Sequence, residues 1–305
     1  MPQKLRISIV EYLNTAPLVW GFAEGPLAGR YDLSFALPSQ CAEQLRRGDV
    51  DVAIIPAIEY QRIPNLVALP DMAVAAKREV RSILVVSKKP INRVKTLALD
   101  TSSRSSAALV RILAAEHWHI SPTFIDAKPD PTKMLDQSDA ALIIGDPALR
   151  IAVKMDQLAG KAPSGERCCQ GGDTDEMPVQ GHESIFVYDV AHEWQELTGK
   201  PCVLAIWAGR AEALTHEVVA DFLESKKYGL ERLVDISEGA ALKLDLPPAD
   251  LLRYLEYNIN FDLDANNLDG LHLYFKKAAA LGLIDAVKPL ELLEPTRQTH
   301  RATKK

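Results

Sequence analysis

A polar pair, Asn14 and Thr15, directly follows the first apolar run of the chain. Residues 5–9 alternate well enough to form a first β-strand, so the pair lies at the carboxyl end of that strand. In open α/β sheets this end faces the ligand crevice, and Pro17 suits the first turn of a following helix. The turn can therefore hold a ligand through an amide and a hydroxyl. It can equally be an ordinary strand-to-helix turn whose polar residues cap the helix.

A second polar segment, residues 101–106, has five hydroxyl side chains in six positions and stands between a predicted strand and a predicted helix. Such side chains can be redundant caps for the free N–H groups of the helix. Together with those amides and the helix dipole, they can also hold a carboxylate or a phosphate. One cap needs fewer hydroxyls than this, so the segment favours an anion site. Its candidate residues are Ser102, Ser103, Ser105 and Ser106.

Two further predicted strands end on residues that can contact a ligand. Residues 50–56 form a buried strand that ends at Pro56 and leads into a loop with Ala57 and Glu59. Residues 140–146 end on Gly145 and Asp146, and Asp146 can either contact a ligand or cap the next helix. Because strand ends of this kind share one edge of a sheet, these loops are expected to converge with the Asn14 turn.

Strands and helices alternate along the chain, which predicts α/β lobes built on parallel sheets covered on both faces. A linker at 88–91 marks the first crossing between lobes. Residues 1–89 with 203–305 are assigned to lobe 1, and residues 90–202 to lobe 2, with a polar, glycine-rich insertion at about 154–182. This is the two-lobed plan of a type 2 periplasmic-binding-protein-like fold, which holds a small anion in an interlobe cleft.

Composition narrows the function further. The chain has 305 residues, of which 47% are hydrophobic, and a formal net charge of -6. This negative charge does not indicate binding to nucleic acid. The amino terminus resembles no export signal and no apolar run is long enough to cross a membrane, which predicts a cytoplasmic protein. The Cys168-Cys169 pair and the histidines 117 and 119 lack metal-ligand spacing, so no metal site is expected.

Several segments together give the chain a resemblance to the chorismate dehydratases of the futalosine route to menaquinone, a family with the periplasmic-binding-protein-like fold. The resemblance covers nearly the whole chain. The matching segments are residues 12–18, 48–51, 55–60, 80–82, 102–106, 142–146 and 194–201.

The resemblance implies a hydro-lyase, a carbon–oxygen lyase that removes water from chorismate to give 3-[(1-carboxyvinyl)oxy]benzoate, with no metal or organic cofactor. It carries over Asn14 and Ser82 as the catalytic positions. Because an amide is a poor base, Asn14 is expected to orient the substrate and to hydrogen-bond the departing hydroxyl or the developing charge. The expected substrate-binding residues are Tyr12, Thr15, Pro56, Ala57, Ser102, Ser103, Ser105, Ser106, Gly145 and Asp146.

The proton acceptor stays open at this stage between the substrate's own side-chain carboxylate, Glu59 and Asp146. Two other functions also stay open. One is the dihydroxynaphthoate synthase of the same route, whose relatives carry a histidine as base where this chain has Gly145-Asp146. The other is a non-catalytic cytoplasmic anion-binding protein. The sequence does not indicate an oligomeric state.

Overall fold

A computed structural model describes residues 4–158, 177–179 and 182–293 of the chain. They form two β-sheets covered by helices, and the two-lobed α/β fold expected from the sequence is confirmed. The first sheet has five strands in the order β2-β1-β3-β11-β4. Their bounds are β1 Arg6–Val10, β2 Asp32–Ala36, β3 Val52–Pro56, β4 Val67–Ala76 and β11 Cys202–Gly209.

The second sheet has six strands in the order β7-β6-β8-β5-β10-β9. Their bounds are β5 Ile83–Ser87, β6 Thr96–Asp100, β7 Thr123–Ala127, β8 Ala140–Ile144, β9 Met177–Val179 and β10 His182–Asp189. The Cys168-Cys169 pair lies outside the described residues, as does most of the expected insertion.

Both sheets are mixed, so the prediction of parallel sheets was wrong in part. In the first sheet β1 pairs in parallel with β2 and β3, while β11 is antiparallel to β3 and β4. In the second sheet β6 is parallel to β7 and β8, while β5 is antiparallel to β8 and β10. Strands joined by a helix within one lobe pair in parallel. The antiparallel pairs above involve β5 and β11, the two strands that enter their sheet directly after a crossing from the other lobe.

The first crossing between sheets lies earlier than the sequence indicated. Residues 83–87 were assigned to lobe 1, but β5 pairs with β8 and β10 of the second sheet. The chain therefore crosses between Ala76 and Ile83, and the 88–91 segment is a connection within the second sheet. A strand rich in β-branched residues pairs equally well in either sheet, so its sequence does not specify its partner. The second crossing lies between β10, which ends at Asp189 in the second sheet, and β11, which begins at Cys202 in the first.

Eleven α-helices are described, and several begin or end on residues that favour a boundary. Helix α2 has Pro38 in its first turn and basic residues in its last turn, and it ends at Gly48 with φ 78°. None of the described helices is both long and apolar enough to cross a bilayer. The helix bounds are α1 Ala16–Ala23, α2 Pro38–Arg47, α3 Ala57–Arg62, α4 Arg104–Glu116, α5 Pro131–Gln137, α6 Gly145–Leu158, α7 Val190–Thr198, α8 His216–Leu230, α9 Leu233–Leu244, α10 Pro248–Arg253 and α11 Ala265–Ala280.

One main core of buried residues runs through both lobes, and a smaller one lies on the second sheet. Because buried side chains from both sheets belong to the main core, the lobes pack against each other over an apolar contact. Val10, Ile83 and Ile144 of this core also line the cavity described next.

Candidate active site

A cavity between the two lobes collects the strand ends that the sequence singled out. Val10, Pro56 and Leu204 come from the first sheet, and Ile83 and Ile144 come from the second. Among the expected site residues, the cavity is lined by Tyr12, Asn14, Thr15, Pro56, Ser82, Ser103, Ser106 and Gly145. The other lining residues are Val10, Pro38, Val74, Ile83, Ile144, Leu204 and Ala205. An apolar wall with a few convergent polar groups is typical of a site for a small organic ligand.

Asn14 lies in a single 3-10 turn, Leu13–Thr15, between β1 and α1. The Thr15 hydroxyl donates to the backbone oxygens of Val10 (2.5 Å) and Tyr12 (2.8 Å), so its proton holds the turn together. Thr15 is the N-cap of α1 by position but accepts no capping hydrogen bond. The turn is thus held by its own threonine, and the Asn14 amide remains available on the cavity wall.

Gly145 allows the Tyr12 ring to reach the cavity. Gly145 has φ +66°, and a Cβ atom added there would lie 2.6 Å from the Tyr12 ring. Both the backbone conformation and the contact therefore require glycine. Burial raises the pKa of the Tyr12 phenol to about 12, against an opposing interaction with Ser102. Tyr12 is therefore a neutral donor across the ordinary pH range.

Ser82 is held by its backbone on both sides. Its carbonyl oxygen accepts from the Gly145 N–H at 2.7 Å. The preceding residue, Arg81, has φ 62°, and its N–H donates to Asp189 Oδ2 at 2.6 Å. Asp189 Oδ1 also accepts from the N–H of Val80 at 3.1 Å. Asp189 thereby stabilises a left-handed residue directly before Ser82, a conformation that an arginine seldom adopts.

The Asp189 carboxyl group lies at the point where the chain enters the second lobe. Besides the two N–H groups before Ser82, it accepts the N–H groups of Ala191 and His192 at the start of α7. Burial raises the pKa of Asp189 to about 6, although these N–H donors act in the opposite direction. From the sequence alone Asp189 is not distinguished as a functional residue, because an aspartate directly before a helix is typical of an ordinary N-cap.

Tyr254 is a second residue that the sequence analysis missed. Its hydroxyl donates to Ser82 Oγ at 2.8 Å, and the Asn14 side chain lies beside the same hydroxyl. Tyr254 is 1% exposed and begins a π-helical turn, Tyr254–Asn258, that continues α10. Burial raises the pKa of its phenol well above the ordinary value. The two expected catalytic residues therefore meet at one protonated tyrosine.

Ser103 and Ser106 of the serine-rich segment also line the cavity. Ser103 is the N-cap of α4, but its hydroxyl donates to Ser106 Oγ at 2.7 Å and accepts no N–H group of the helix. The first N–H groups of a helix have no partner within the helix, and the dipole makes this end attractive to anions. The Ser102 hydroxyl is buried beside the Tyr12 phenol and does not line the cavity. This end of the cavity suits a carboxylate.

Four expected binding residues do not line the cavity: Ala57, Ser102, Ser105 and Asp146. The Ser105 hydroxyl instead accepts the Ile58 N–H at 3.2 Å and joins α4 to α3. Asp146 Oδ1 accepts the Leu13 N–H at 3.0 Å, which links α6 to the Asn14 turn. Burial raises the pKa of Asp146, with this N–H acting against it. Asp146 therefore neither caps its own helix nor reaches the cavity wall.

Glu59 lies in an ion-pair cluster outside the cavity. The expected loop after Pro56 is helix α3, which places the Glu59 side chain, 0% exposed, among Arg46, Arg62 and Arg104. Burial alone would raise the pKa of Glu59, but the three arginines hold it below the ordinary value of 4.5. A carboxylate that is this strongly stabilised is a poor proton acceptor.

The lining residues include no lysine or arginine within the described parts of the chain. Neutral donors therefore have to hold any anionic group here: serine hydroxyls, the phenol of Tyr12, the amide of Asn14 and the N–H groups that begin α4. Such donors, fixed in a site with apolar walls, can stabilise charge that develops during a reaction. The arrangement can bind a small carboxylate and polarise a hydroxyl group beside Asn14 and Ser82.

Comparison with known proteins agrees with this geometry. A family model described as menaquinone biosynthesis matches residues 5–167 and 172–280. A chorismate dehydratase of Thermus thermophilus is 27% identical over 279 residues, which cover 91% of this chain and 95% of that protein.

Solved structures share the fold at lower identity. Protein AF1704 from Archaeoglobus fulgidus superposes with a TM-score of 0.66 at 16% identity, covering 92% of this chain and 98% of that one. The alkanesulfonate-binding protein SsuA from Xanthomonas axonopodis pv. citri, bound to MOPS, gives a TM-score of 0.60 at 17% identity, covering 93% and 94%. These neighbours support a periplasmic-binding-protein-like fold.

Proposed function

Since the chain belongs to the menaquinone biosynthesis family, we propose that it is a chorismate dehydratase, a hydro-lyase of the futalosine route. The relative from Thermus thermophilus supports this activity along 91% of the chain. The observation that carries the proposal is the meeting of Asn14 and Ser82 at the Tyr254 hydroxyl, in an interlobe cavity that Ser103 and Ser106 at the start of α4 also line.

The reaction needs little from the protein beyond placement and charge stabilisation. A ring C–H proton goes to a base, the neighbouring C–O bond breaks with its electron pair on oxygen, and that oxygen takes up a proton and leaves as water. Aromatisation of the ring drives the step. The amide of Asn14 and the hydroxyl of Ser82 are suited to hydrogen-bond the departing oxygen. The hydroxyls of Ser103 and Ser106 and the N–H groups that begin α4 are suited to hold a substrate carboxylate.

We assign the role of base to the substrate's own side-chain carboxylate. Glu59 and Asp146, the two acids considered from the sequence, do not line the cavity. Glu59 is also stabilised as a carboxylate by three arginines. The substrate carboxylate is carried into the cavity next to the ring, so it is close to the proton that has to leave.

A dihydroxynaphthoate synthase is the second enzyme considered, and Gly145 disfavours it. A histidine at this position would need a Cβ atom 2.6 Å from the Tyr12 ring and a side chain at φ +66°. Neither is compatible with the arrangement of the cavity wall. This chain therefore lacks room for a catalytic histidine at 145.

The proposed activity is tested by incubating the purified protein with chorismate and following the absorbance and mass of the aromatic product. We expect stoichiometric formation of 3-[(1-carboxyvinyl)oxy]benzoate. Binding of chorismate without a change in absorbance or mass would favour a non-catalytic anion-binding protein. Chorismate that neither binds nor reacts would contradict the proposal.

Asp146→Asn tests the assignment of the base. Asparagine keeps an oxygen that can accept the Leu13 N–H, so we expect kcat to stay within about tenfold of the wild-type value, whereas removal of a general base costs on the order of 10²–10⁴-fold. The measurement is steady-state turnover of chorismate near neutral pH.

Asp139→Asn is the matched control, since Asp139 also accepts a backbone N–H, that of Lys95 at 2.9 Å, and lies away from the cavity. Asp139→Asn shows how much kcat falls when a variant only loses stability, so a larger fall in Asp146→Asn can be assigned to the reaction. A thousandfold loss confined to Asp146→Asn, with an unchanged melting temperature, would make Asp146 the base and overturn substrate assistance.

A further inference from the structure

The hydrogen bond between Tyr254 and Ser82 leaves the serine hydroxyl with a defined direction. Tyr254 donates to Ser82 Oγ at 2.8 Å. A serine hydroxyl has one proton and two acceptor positions. Once Oγ accepts from the tyrosine, the serine proton is free to point along another direction, and Ser82 lines the cavity.

The surroundings of Tyr254 keep it a donor. Burial of the ring raises the pKa of the Tyr254 phenol, and the carboxyl groups of Asp146 and Asp189 raise it further. The contacts with Ser82 and Asn14 lower this pKa, but burial has the largest effect, so the phenol stays protonated. Tyr254 also begins a π-helical turn, a local distortion of a helix that is frequent at functional sites. The tyrosine proton thus needs an acceptor, and the acceptor that the geometry provides is Ser82 Oγ.

We propose that Tyr254 is a positioning residue for the reaction: its hydroxyl donates to Ser82 Oγ and so aims the Ser82 proton at the hydroxyl group that leaves the substrate. The proposal rests on the proposed dehydratase function for the identity of that leaving group. Tyr254 itself does not line the cavity and exchanges no proton in the reaction. It acts through Ser82, which is why its effect has to disappear when the serine hydroxyl is absent.

The test is a double-mutant comparison of Tyr254→Phe, Ser82→Ala and the double variant with chorismate as substrate. Phenylalanine fills the same space and removes only the contacts of the hydroxyl with Ser82 Oγ and the Asn14 side chain, so the variant is expected to fold. We expect Tyr254→Phe to lower kcat on the order of tenfold to a hundredfold, with KM changed much less. In the Ser82→Ala background the same substitution is expected to cause no further loss.

Tyr60→Phe is the matched control. Tyr60 is fully buried like Tyr254, but its hydroxyl donates to the Leu66 carbonyl oxygen, at 3.1 Å, away from the cavity. We expect its kcat to equal that of the wild type. A purely structural role for Tyr254 would give similar changes in stability for both variants and leave kcat unchanged in each. Wild-type kcat in Tyr254→Phe, or losses that multiply in the double variant, would overturn the proposal.

A second measurement does not depend on turnover. Crystal structures of the wild type and Tyr254→Phe should show a changed or disordered Ser82 side chain in the variant, because its fixed partner is gone. An identical Ser82 rotamer in both would contradict the positioning role even if chorismate is the substrate. Failure of the wild type to convert chorismate would contradict the proposed function, and the Ser82 rotamer would still decide the positioning role.

Discussion

Asn14→Ala is expected to lower kcat for chorismate by about 10³-fold while the protein folds and still binds the substrate. The amide lies on the cavity wall beside Ser82 and Tyr254, where it can hydrogen-bond the departing hydroxyl or the charge that develops on it. Such a contact is stronger in the transition state than in the bound substrate, so its removal lowers kcat more than it weakens binding. Turnover of chorismate and binding of chorismate to the variant are the two measurements.

Folding of the Asn14 variant should be nearly unaffected because the 3-10 turn is held by Thr15, whose hydroxyl bonds Val10 and Tyr12. Asn92→Ala is the control, since Asn92 is exposed and lies in a turn of the second lobe away from the cavity. We expect wild-type kinetics from it. If Asn14→Ala turned over chorismate at the wild-type rate, Asn14 would have no role in the chemistry.

The position of Asn14 in the site could be predicted from the sequence because strand ends in an α/β sheet converge by topology. Val10, Pro56 and Gly145 all end or follow strands, and all of them line one cavity. The alternation of apolar residues locates such ends without any knowledge of packing. This is why the expected site residues on the Asn14 turn and at the start of α4 lie together, whereas Ser82 was expected from the family resemblance alone.

Contacts that depend on distant parts of the chain could not be predicted in this way. Tyr254 directly follows helix α10, a place where the local sequence indicates only a buried core tyrosine. Its role depends on a π-helical turn and on Ser82, 172 positions away in the sequence. Asp189 reads as a helix cap for the same reason, although two of its partners are the backbone N–H groups of Val80 and Arg81.

Strand β4 was missed because its pattern is interrupted. Pro70 and Asp71 stand in its middle, and Asp71 has φ 58°. The pairing of β4 with β11 shifts register twice, which is how the sheet accommodates this interruption. A proline and a turn-forming residue argue against a strand when only local sequence is considered, but the pairing with β11 outweighs them.

Glu59→Gln is expected to lower the free energy of unfolding by about 3 kcal/mol at neutral pH, the lower end for a broken buried ion pair because its arginine partners are partly exposed. Arg46, Arg62 and Arg104 surround this carboxylate, and Arg104 belongs to α4 of the other lobe. Loss of the charge therefore weakens the contact between the lobes. Denaturant unfolding of wild type and variant measures the difference.

Glu43→Gln provides the control, because Glu43 pairs with Arg104 at 2.8 Å but its side chain is 31% exposed. We expect it to cost less than about 1 kcal/mol, as exposed ion pairs do. An equal fall in the free energy of unfolding of the two variants would show that the buried Glu59 stabilises the protein no more than the partly exposed Glu43 does.

The lowered pKa of Glu59 determines how its contribution to stability changes with pH. The arginines hold the pKa of Glu59 in the folded protein below its ordinary value of 4.5, so the unfolded chain binds a proton there first as pH falls. The contribution of Glu59 is therefore complete above about pH 4.5 and is lost as pH falls through the folded pKa. The stability difference between wild type and Glu59→Gln should shrink over that interval and stay constant from pH 6 to 8. A difference that grew on acidification would mean that Glu59 is protonated in the folded protein, and the three arginines would then stabilise the lobe contact without it.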